Sequence, residues 1–123
     1  MYEISKDFPW SASHVVDGLP EGHQCARLHG HNYVARVIMS AEKLDTVGFV
    51  VDYGALAPVK RWIDGVLDHR HLNDELEFNP TAENLARFLA DLVPRLVEIP
   101  EGVSVSVAVS ETPKTWATWR ETS

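Results

Sequence analysis

The chain has one cysteine, Cys25, and its lysines and arginines number 11 against 18 aspartates and glutamates. A lone thiol cannot close an internal disulfide, which fits a reducing compartment and leaves Cys25 free to act as a ligand or a reactive thiolate. The shortage of positive charge, a formal net charge of -7, speaks against non-specific binding to nucleic acid or to an anionic membrane, since both need a basic surface. An anionic substrate would have to be met by a local positive site. Long apolar runs are missing as well: none approaches the ~20 residues that span a bilayer. The opening Met1 to Asp7 carries no basic segment followed by an apolar one. These absences predict a cytoplasmic protein. There is no internal repeat, low-complexity tract or linker. With 123 residues and 45% hydrophobic content, one domain over 1–123 with its own core is expected.

What is present is a pattern of strands and helices that brings polar residues to particular ends. Tyr2, Ile4, Phe8, Trp10 and Ala12 share a parity, which predicts a strand ending at His14. A turn-like run, Asp17-Gly18-Leu19-Pro20-Glu21-Gly22, folds the chain back. A second strand is expected from His29 to about Ala41, with Tyr33, Ala35, Val37 and Met39 on the parity of His29 and His31, paired antiparallel with the first. Asp52 reads as an N-cap with Pro58 tolerated near the helix start, and Leu56, Val59, Ile63 and Val66 or Leu67 supply its buried stripe. A polar loop, Asp68 to Asp74, precedes a second helix capped by Thr81 or Asn79. The apolar face of that helix is Leu85, Phe88, Leu89, Leu92 and Leu96, and Pro94 should kink or end it. Val103 to Val109 alternates strictly, with valine on one face, and Glu111 continues that parity. A last short strand is expected over about 115–120.

The candidate chemistry concentrates in Cys25-Ala26-Arg27-Leu28-His29-Gly30-His31. Residues two apart on a strand face the same way, so His29 and His31 form a pair of potential metal ligands, and the glycine between them permits close approach. His14 is the candidate third ligand. Three neutral imidazoles leave one position of a tetrahedral zinc ion open, the pattern of a catalytic rather than a structural site. The spacing alone fits histidines that merely hydrogen-bond equally well. His69 and His71 repeat it, but in a loop where Asp68 and Arg70 compete for the rings. Cys25 could be a small buried hydrophobe, or a thiol whose pKa a nearby cation lowers. Asp68-His69 could orient an imidazole for proton transfer or merely end a helix. Glu111, set on a valine face, needs a partner: either a ligand with two adjacent N–H groups or a lysine or arginine.

Taken together, Ser11-Ala12-Ser13-His14, Cys25-x-x-x-His29-Gly30-His31, Val51-Asp52-Tyr53, Leu67-Asp68-His69, Leu72-Asn73, Asn79-Pro80-Thr81-x-Glu83-Asn84 and Ser110-Glu111-Thr112 resemble the 6-pyruvoyltetrahydropterin and 6-carboxytetrahydropterin synthase family over nearly the whole chain. The three-residue gap between Cys25 and His29, and the approach Pro20 to Cys25, resemble the bacterial carboxy-type members. Pro113 to Trp119 is only loosely similar.

The resemblance implies an α+β tunnelling fold, a four-stranded antiparallel sheet with two helices on one face. Three such sheets would close a barrel and two trimers would stack as a homohexamer. It also implies conversion of 7,8-dihydroneopterin triphosphate to 6-carboxy-5,6,7,8-tetrahydropterin with loss of acetaldehyde and triphosphate, on the route to 7-deazapurines such as queuosine. Zn²⁺ on His14, His29 and His31, Cys25 as base, His69 oriented by Asp68 as proton relay, and Glu111 with Thr112 on the pterin edge are the implied roles. His23, Arg27 and Lys114 are candidates near the phosphates. Alternatives are a pyruvoyl-type synthase, a zinc hydrolase, and a non-catalytic pterin- or zinc-binding module.

Overall fold

A computed structural model describes residues 1–121; Thr122 and Ser123, the end of the expected domain, lie outside the described residues. In chain order the elements are β1 (Tyr2–His14), β2 (His29–Ala41), α1 (Ala57–Val66), β3 (Arg70–His71), α2 (Leu72–Glu75), α3 (Ala82–Leu96), β4 (Val103–Thr112) and β5 (Thr115–Trp119). The sheet order is β3-β1-β2-β4-β5. β1, β2, β4 and β5 form the expected antiparallel meander. The fifth member, β3, adds a two-residue parallel pairing of Arg70 and His71 with Ala12 and Ser13. A segment that short has no periodicity to read, so the sequence suggests only loop there.

β1 and β2 pair along their full lengths, Tyr2 opposite Ala41 and His14 opposite His29. Register follows from burial. Phe8, Trp10 and Ala12 of β1, Tyr33, Ala35, Val37 and Met39 of β2, and Val105, Val107 and Val109 of β4 are all buried in one core. A one-residue slip would turn every one of them to the other face. The core is closed by Leu56, Val59, Ile63 and Leu67 around α1, and by Leu85, Ala86, Leu89, Ala90 and Val93 of α3. On the opposite face of the sheet Arg36 makes a two-point ion pair with Asp7, at 2.8 and 3.1 Å, and lies 4.4 Å from the centre of the Trp116 ring.

The helix ends show where local chemistry acts. Asp52 accepts from the Gly54 N–H and caps a 3-10 turn over Tyr53–Leu56, from which α1 continues with Pro58 in its first turn, where no N–H is needed. Thr81 caps α3 by accepting from the Asn84 N–H at 3.1 Å. Pro94 sits inside α3, which ends two residues later at Leu96. The proline therefore removes a hydrogen bond only from the last turn, the outcome expected of a residue that cannot donate.

Two substitutions separate capping from packing. Thr81→Ala is expected to cost about 1 kcal/mol, the usual loss of an N-cap, and Leu85→Ala, at a fully buried position, about 2–5 kcal/mol. Urea unfolding followed by circular dichroism checks both. Equal midpoints for the two variants would contradict the assignment of Leu85 to the core.

Candidate metal centre and adjoining depressions

His14 and His29 face each other across the last rung of the β1–β2 ladder, and His31 follows on the same face. The three rings meet edge to face, with centroids 4.5 Å apart for His14 and His29, 5.2 Å for His14 and His31, and 4.6 Å for His29 and His31. Their floor is the buried Tyr33 ring, 5.8 Å from His14 and 5.6 Å from His31. One ligand atom from each histidine lies within 4.8 Å of the others.

The hydrogen bonds behind the rings fix their chemistry. His14 Nδ1 lies 2.7 Å from the Pro80 carbonyl and His29 Nδ1 lies 2.6 Å from the Arg27 carbonyl. A carbonyl can only accept, so each Nδ1 carries the proton and each neutral ring leaves Nε2 bare. Those two Nε2 atoms are 2.9 Å apart. Two facing lone pairs at that distance repel unless they share an electrophile. With Zn–N bonds of about 2.05 Å, tetrahedral ligand atoms lie roughly 3.3 Å apart, so the pair is slightly tighter than a zinc site requires. A backbone carbonyl behind a ligating imidazole is also the common way to fix its tautomer. The donor set fits a zinc-type ion.

Electrostatics favour the ligand form. Burial, the largest effect, holds the His14 imidazole below its ordinary pKa against the opposing pull of the Pro80 carbonyl and the Glu111 carboxylate, while the neighbouring histidines add to the depression. His31 is lowered for the same reasons, burial first, with Glu111 opposing. Tyr33 is pushed far above the usual phenol value by burial, with Glu111 adding to it, so it stays a neutral phenol beneath the site.

Around the imidazoles lie three depressions. One, of about 330 Å³, is lined by Val16, His23, Cys25, Thr81, Glu83 and Glu111 among others. A second holds Gln24, Cys25, His29, Gly30 and His31. The third, of about 480 Å³, is formed by Ser11, Ser13, His31, Asn32, His69, Arg70 and His71 with their neighbours. Cys25 is common to the first two and His31 to the last two. The structure thus brings Cys25 together with Glu111 and with His29 and His31, whereas His69 opens onto a different depression. Gly30 lines two of them, and a Cβ added there would meet nothing closer than the Ala12 carbonyl at 3.6 Å. The backbone does not require a glycine at that position.

Glu111 lies with its carboxylate 3.8 Å from His31 Nε2. Among the described residues no lysine or arginine forms an ion pair with it. Thr112 turns its hydroxyl to that of Thr115, 3.1 Å away. Asp68 accepts from the Ser11 N–H at 3.0 Å and lies 3.1 Å from His69 Nδ1. The Ser11 amide, more than His69, holds its carboxyl below the usual range. His69 has φ of 58° and its N–H donates to the Ser11 carbonyl at 2.6 Å. A non-glycine residue held in the left-handed region is strained, a feature that clusters at functional sites. Its ring is 82% exposed.

Sequence reasoning missed the carbonyls of Pro80 and Arg27, because main-chain acceptors leave no trace in residue type. It also missed the pairing of Ser13 Oγ with His71 Nδ1 at 3.0 Å. That contact could have been anticipated only from the β1–β3 pairing. His71 is thereby engaged away from the three-histidine cluster.

The chain is similar to known proteins over most of its length. The family model described as 6-pyruvoyl tetrahydropterin synthase matches residues 3–122. A 6-carboxy-5,6,7,8-tetrahydropterin synthase of Bacillus subtilis is 32% identical over 128 residues, spanning 97% of this chain and 85% of that protein. One of the same description from Synechocystis is 37% identical over 95 residues, 72% of each. Among solved structures, the 6-pyruvoyl tetrahydropterin synthase of Caenorhabditis elegans superposes with a TM-score of 0.82 at 26% identity, over 98% of this chain and 96% of that one.

Two outcomes follow from the imidazole cluster. His29→Ala or His31→Ala should strip most bound divalent metal while His71→Ala retains it, as read by metal analysis of the purified proteins. For pH, both depressed histidines bind protons more weakly folded than unfolded, where the value is about 6.5. The unfolded chain therefore takes up more protons as pH falls below that value. The stability of the metal-free protein should be full above about pH 6.5 and decline toward pH 5. Urea midpoints that rise over that descent would contradict the burial of His14 and His31 as neutral rings.

Proposed function

The chain belongs to the 6-pyruvoyl tetrahydropterin synthase family, and from that premise we propose that it converts 7,8-dihydroneopterin triphosphate to 6-carboxy-5,6,7,8-tetrahydropterin. One water is consumed, acetaldehyde and triphosphate are the other products, and the reaction serves 7-deazapurine (queuosine-type) biosynthesis in the cytoplasm. Several relatives spanning most of the chain are described as 6-carboxy-5,6,7,8-tetrahydropterin synthases. The observation that carries the reading is the meeting of two bare Nε2 atoms 2.9 Å apart beside a depression that also holds Cys25 and Glu111.

His14, His29 and His31 hold zinc in this reading. A zinc ion held there by the three imidazoles would supply Lewis acidity toward the hydroxyls of the substrate side chain. Cys25, as thiolate, takes the proton of the adjacent C–H at its sulfur; it shares one depression with His29 and His31 and another with Glu111. Glu111 accepts the ring N–H and exocyclic N–H of the pterin, two parallel bonds of the kind a carboxylate makes with an amidine-like edge, and Thr112 assists at its flank. Asp68 orients the His69 ring through Nδ1, leaving Nε2 to give or relay protons during triphosphate elimination and carbon–carbon cleavage.

Cys25 and His69 open onto different depressions of one subunit, so their cooperation calls for neighbouring copies at the site. The sheet has the means. β3 covers β1 only at Ala12 and Ser13, and β5 lies at the other edge of the sheet. Unpaired edges are templates for strand addition, and a homohexamer of two stacked trimers closes them. Dilution that dissociates the assembly should abolish activity.

Incubation with dihydroneopterin triphosphate followed by mass analysis of the pterin tests the reading. The carboxy product with acetaldehyde is expected; a pyruvoyl product, or unchanged substrate with metal bound, would overturn it. Cys25→Ala should keep its zinc and lose turnover. Glu111→Gln, which exchanges one acceptor for a donor, should weaken a non-reactive pterin analogue by roughly 1–3 kcal/mol with zinc content unchanged. Equal affinities on titration would remove Glu111 from the binding role.

A further inference from the structure

Beyond His14, where β1 ends, Val15 and Val16 lead into a turn that begins at Asp17, and this stretch of backbone is gripped from both sides. On one side the side-chain amide of Asn73 makes two hydrogen bonds to Val15: Oδ1 accepts from the Val15 N–H at 2.8 Å and Nδ2 donates to the Val15 carbonyl at 2.9 Å. Two residues on, Asn79 repeats the arrangement with Asp17, both bonds at 2.9 Å. A carboxamide has the donor and acceptor of a peptide group, and a spacing of two is that of a strand edge. The two asparagines therefore stand in for a neighbouring strand. On the other side, between them, the Val16 N–H donates to the Cys25 carbonyl at 3.1 Å.

That last bond links the thiol-bearing segment to the strand. Among the described residues the remaining hydrogen bonds of residues 20–27 are local: His23 to Pro20, Ala26 to His23, Arg27 to Gln24, the Cys25 N–H to His23 Nδ1, and His29 Nδ1 to the Arg27 carbonyl. The segment that carries the asparagines, α2 and the loop after it, is anchored independently, by Leu72 and Leu76 in the core and by Asn84 Nδ2 donating to the Asn79 carbonyl at 2.9 Å. The amide clamps are thus a connection between two bodies that each have their own support. We infer that Asn73 and Asn79 are positioning residues that set Cys25 at the reacting carbon through the Val15–Asp17 backbone. This rests on the assignment of Cys25 as the base.

Asn73→Ala and Asn79→Ala leave the three imidazoles and the Pro80 carbonyl in place, so metal content should match wild type. KM should be nearly unchanged, with kcat lowered by about tenfold or more, because misplacing a reacting group by 1 Å can cost about 10²-fold. Cys25 is the sole cysteine, so maleimide labelling reports on it alone. In both variants labelling should be faster than in wild type, moving toward the rate of the urea-unfolded chain. Asn79→Asp keeps the shape and the acceptor but loses the donor, and is the variant to read if alanine prevents folding. A lowered melting temperature with kcat and labelling rate unchanged would show a merely structural role. Metal loss in proportion to kcat would place the effect at His14 and overturn the inference. Wild-type protein that labels as predicted but does not turn over the triphosphate would instead overturn the reading of the reaction, since labelling needs no substrate.

Discussion

The rung that sets His14 opposite His29 is the constraint on which the site depends. It lies at the end of a 13-residue ladder whose other rungs bury Phe8, Trp10, Tyr33, Ala35, Val37 and Met39. The apolar residues therefore enforce the register, and the imidazoles inherit it. The core determines which face the histidines occupy, because the side-chain period of a strand allows no intermediate choice. Packing energy spent in the middle of the sheet is in this way converted into geometry at its end.

Around that rung the protein uses backbone groups where side chains would be too mobile. The carbonyls of Pro80 and Arg27 select the tautomer of two imidazoles, and the amide and carbonyl of Ser11 hold Asp68 and His69. Each of these backbone groups belongs to, or abuts, an element fixed by the core: Ser11 lies in β1 and Pro80 precedes the capped start of α3. The outcome is an array of polar groups preorganised by apolar packing, with burial keeping His14 and His31 neutral and ready to donate lone pairs.

Much of this was legible in the chain. Alternation predicted β1, β2 and β4 and the common parity of His29 and His31, and the helical stripes of Leu56, Val59 and Ile63 and of Leu85 and Leu89 predicted the two main helices. Residue type offered Thr81 or Asn79 as a cap, of which Thr81 caps α3, and offered Asp52, which caps the 3-10 turn ahead of α1 and not α1 itself. What escaped was whatever depends on main-chain partners or on contacts between distant segments. β3 is two residues long, so it carries no period. The pairing of Ser13 with His71 and the carbonyls behind the ligands need the tertiary register before they can be seen. The separation of Cys25 from His69 into different depressions is likewise invisible to spacing, since sequence motifs say which groups are present and not which opening they face.

The central claim is that His14 and His29 are held with Nδ1 protonated and Nε2 bare, so that one divalent ion is taken by these two rings and His31. Loading histidine-labelled ¹⁵N protein with one equivalent of ¹¹³Cd²⁺ tests it by nuclear magnetic resonance. The account predicts a single cadmium resonance coupled to three imidazole nitrogens, through Nε2 in His14 and His29, with both Nδ1 protons retained. Coupling to His69 or His71, coupling through Nδ1 of His14 or His29, or fewer than three imidazoles on the metal would contradict it.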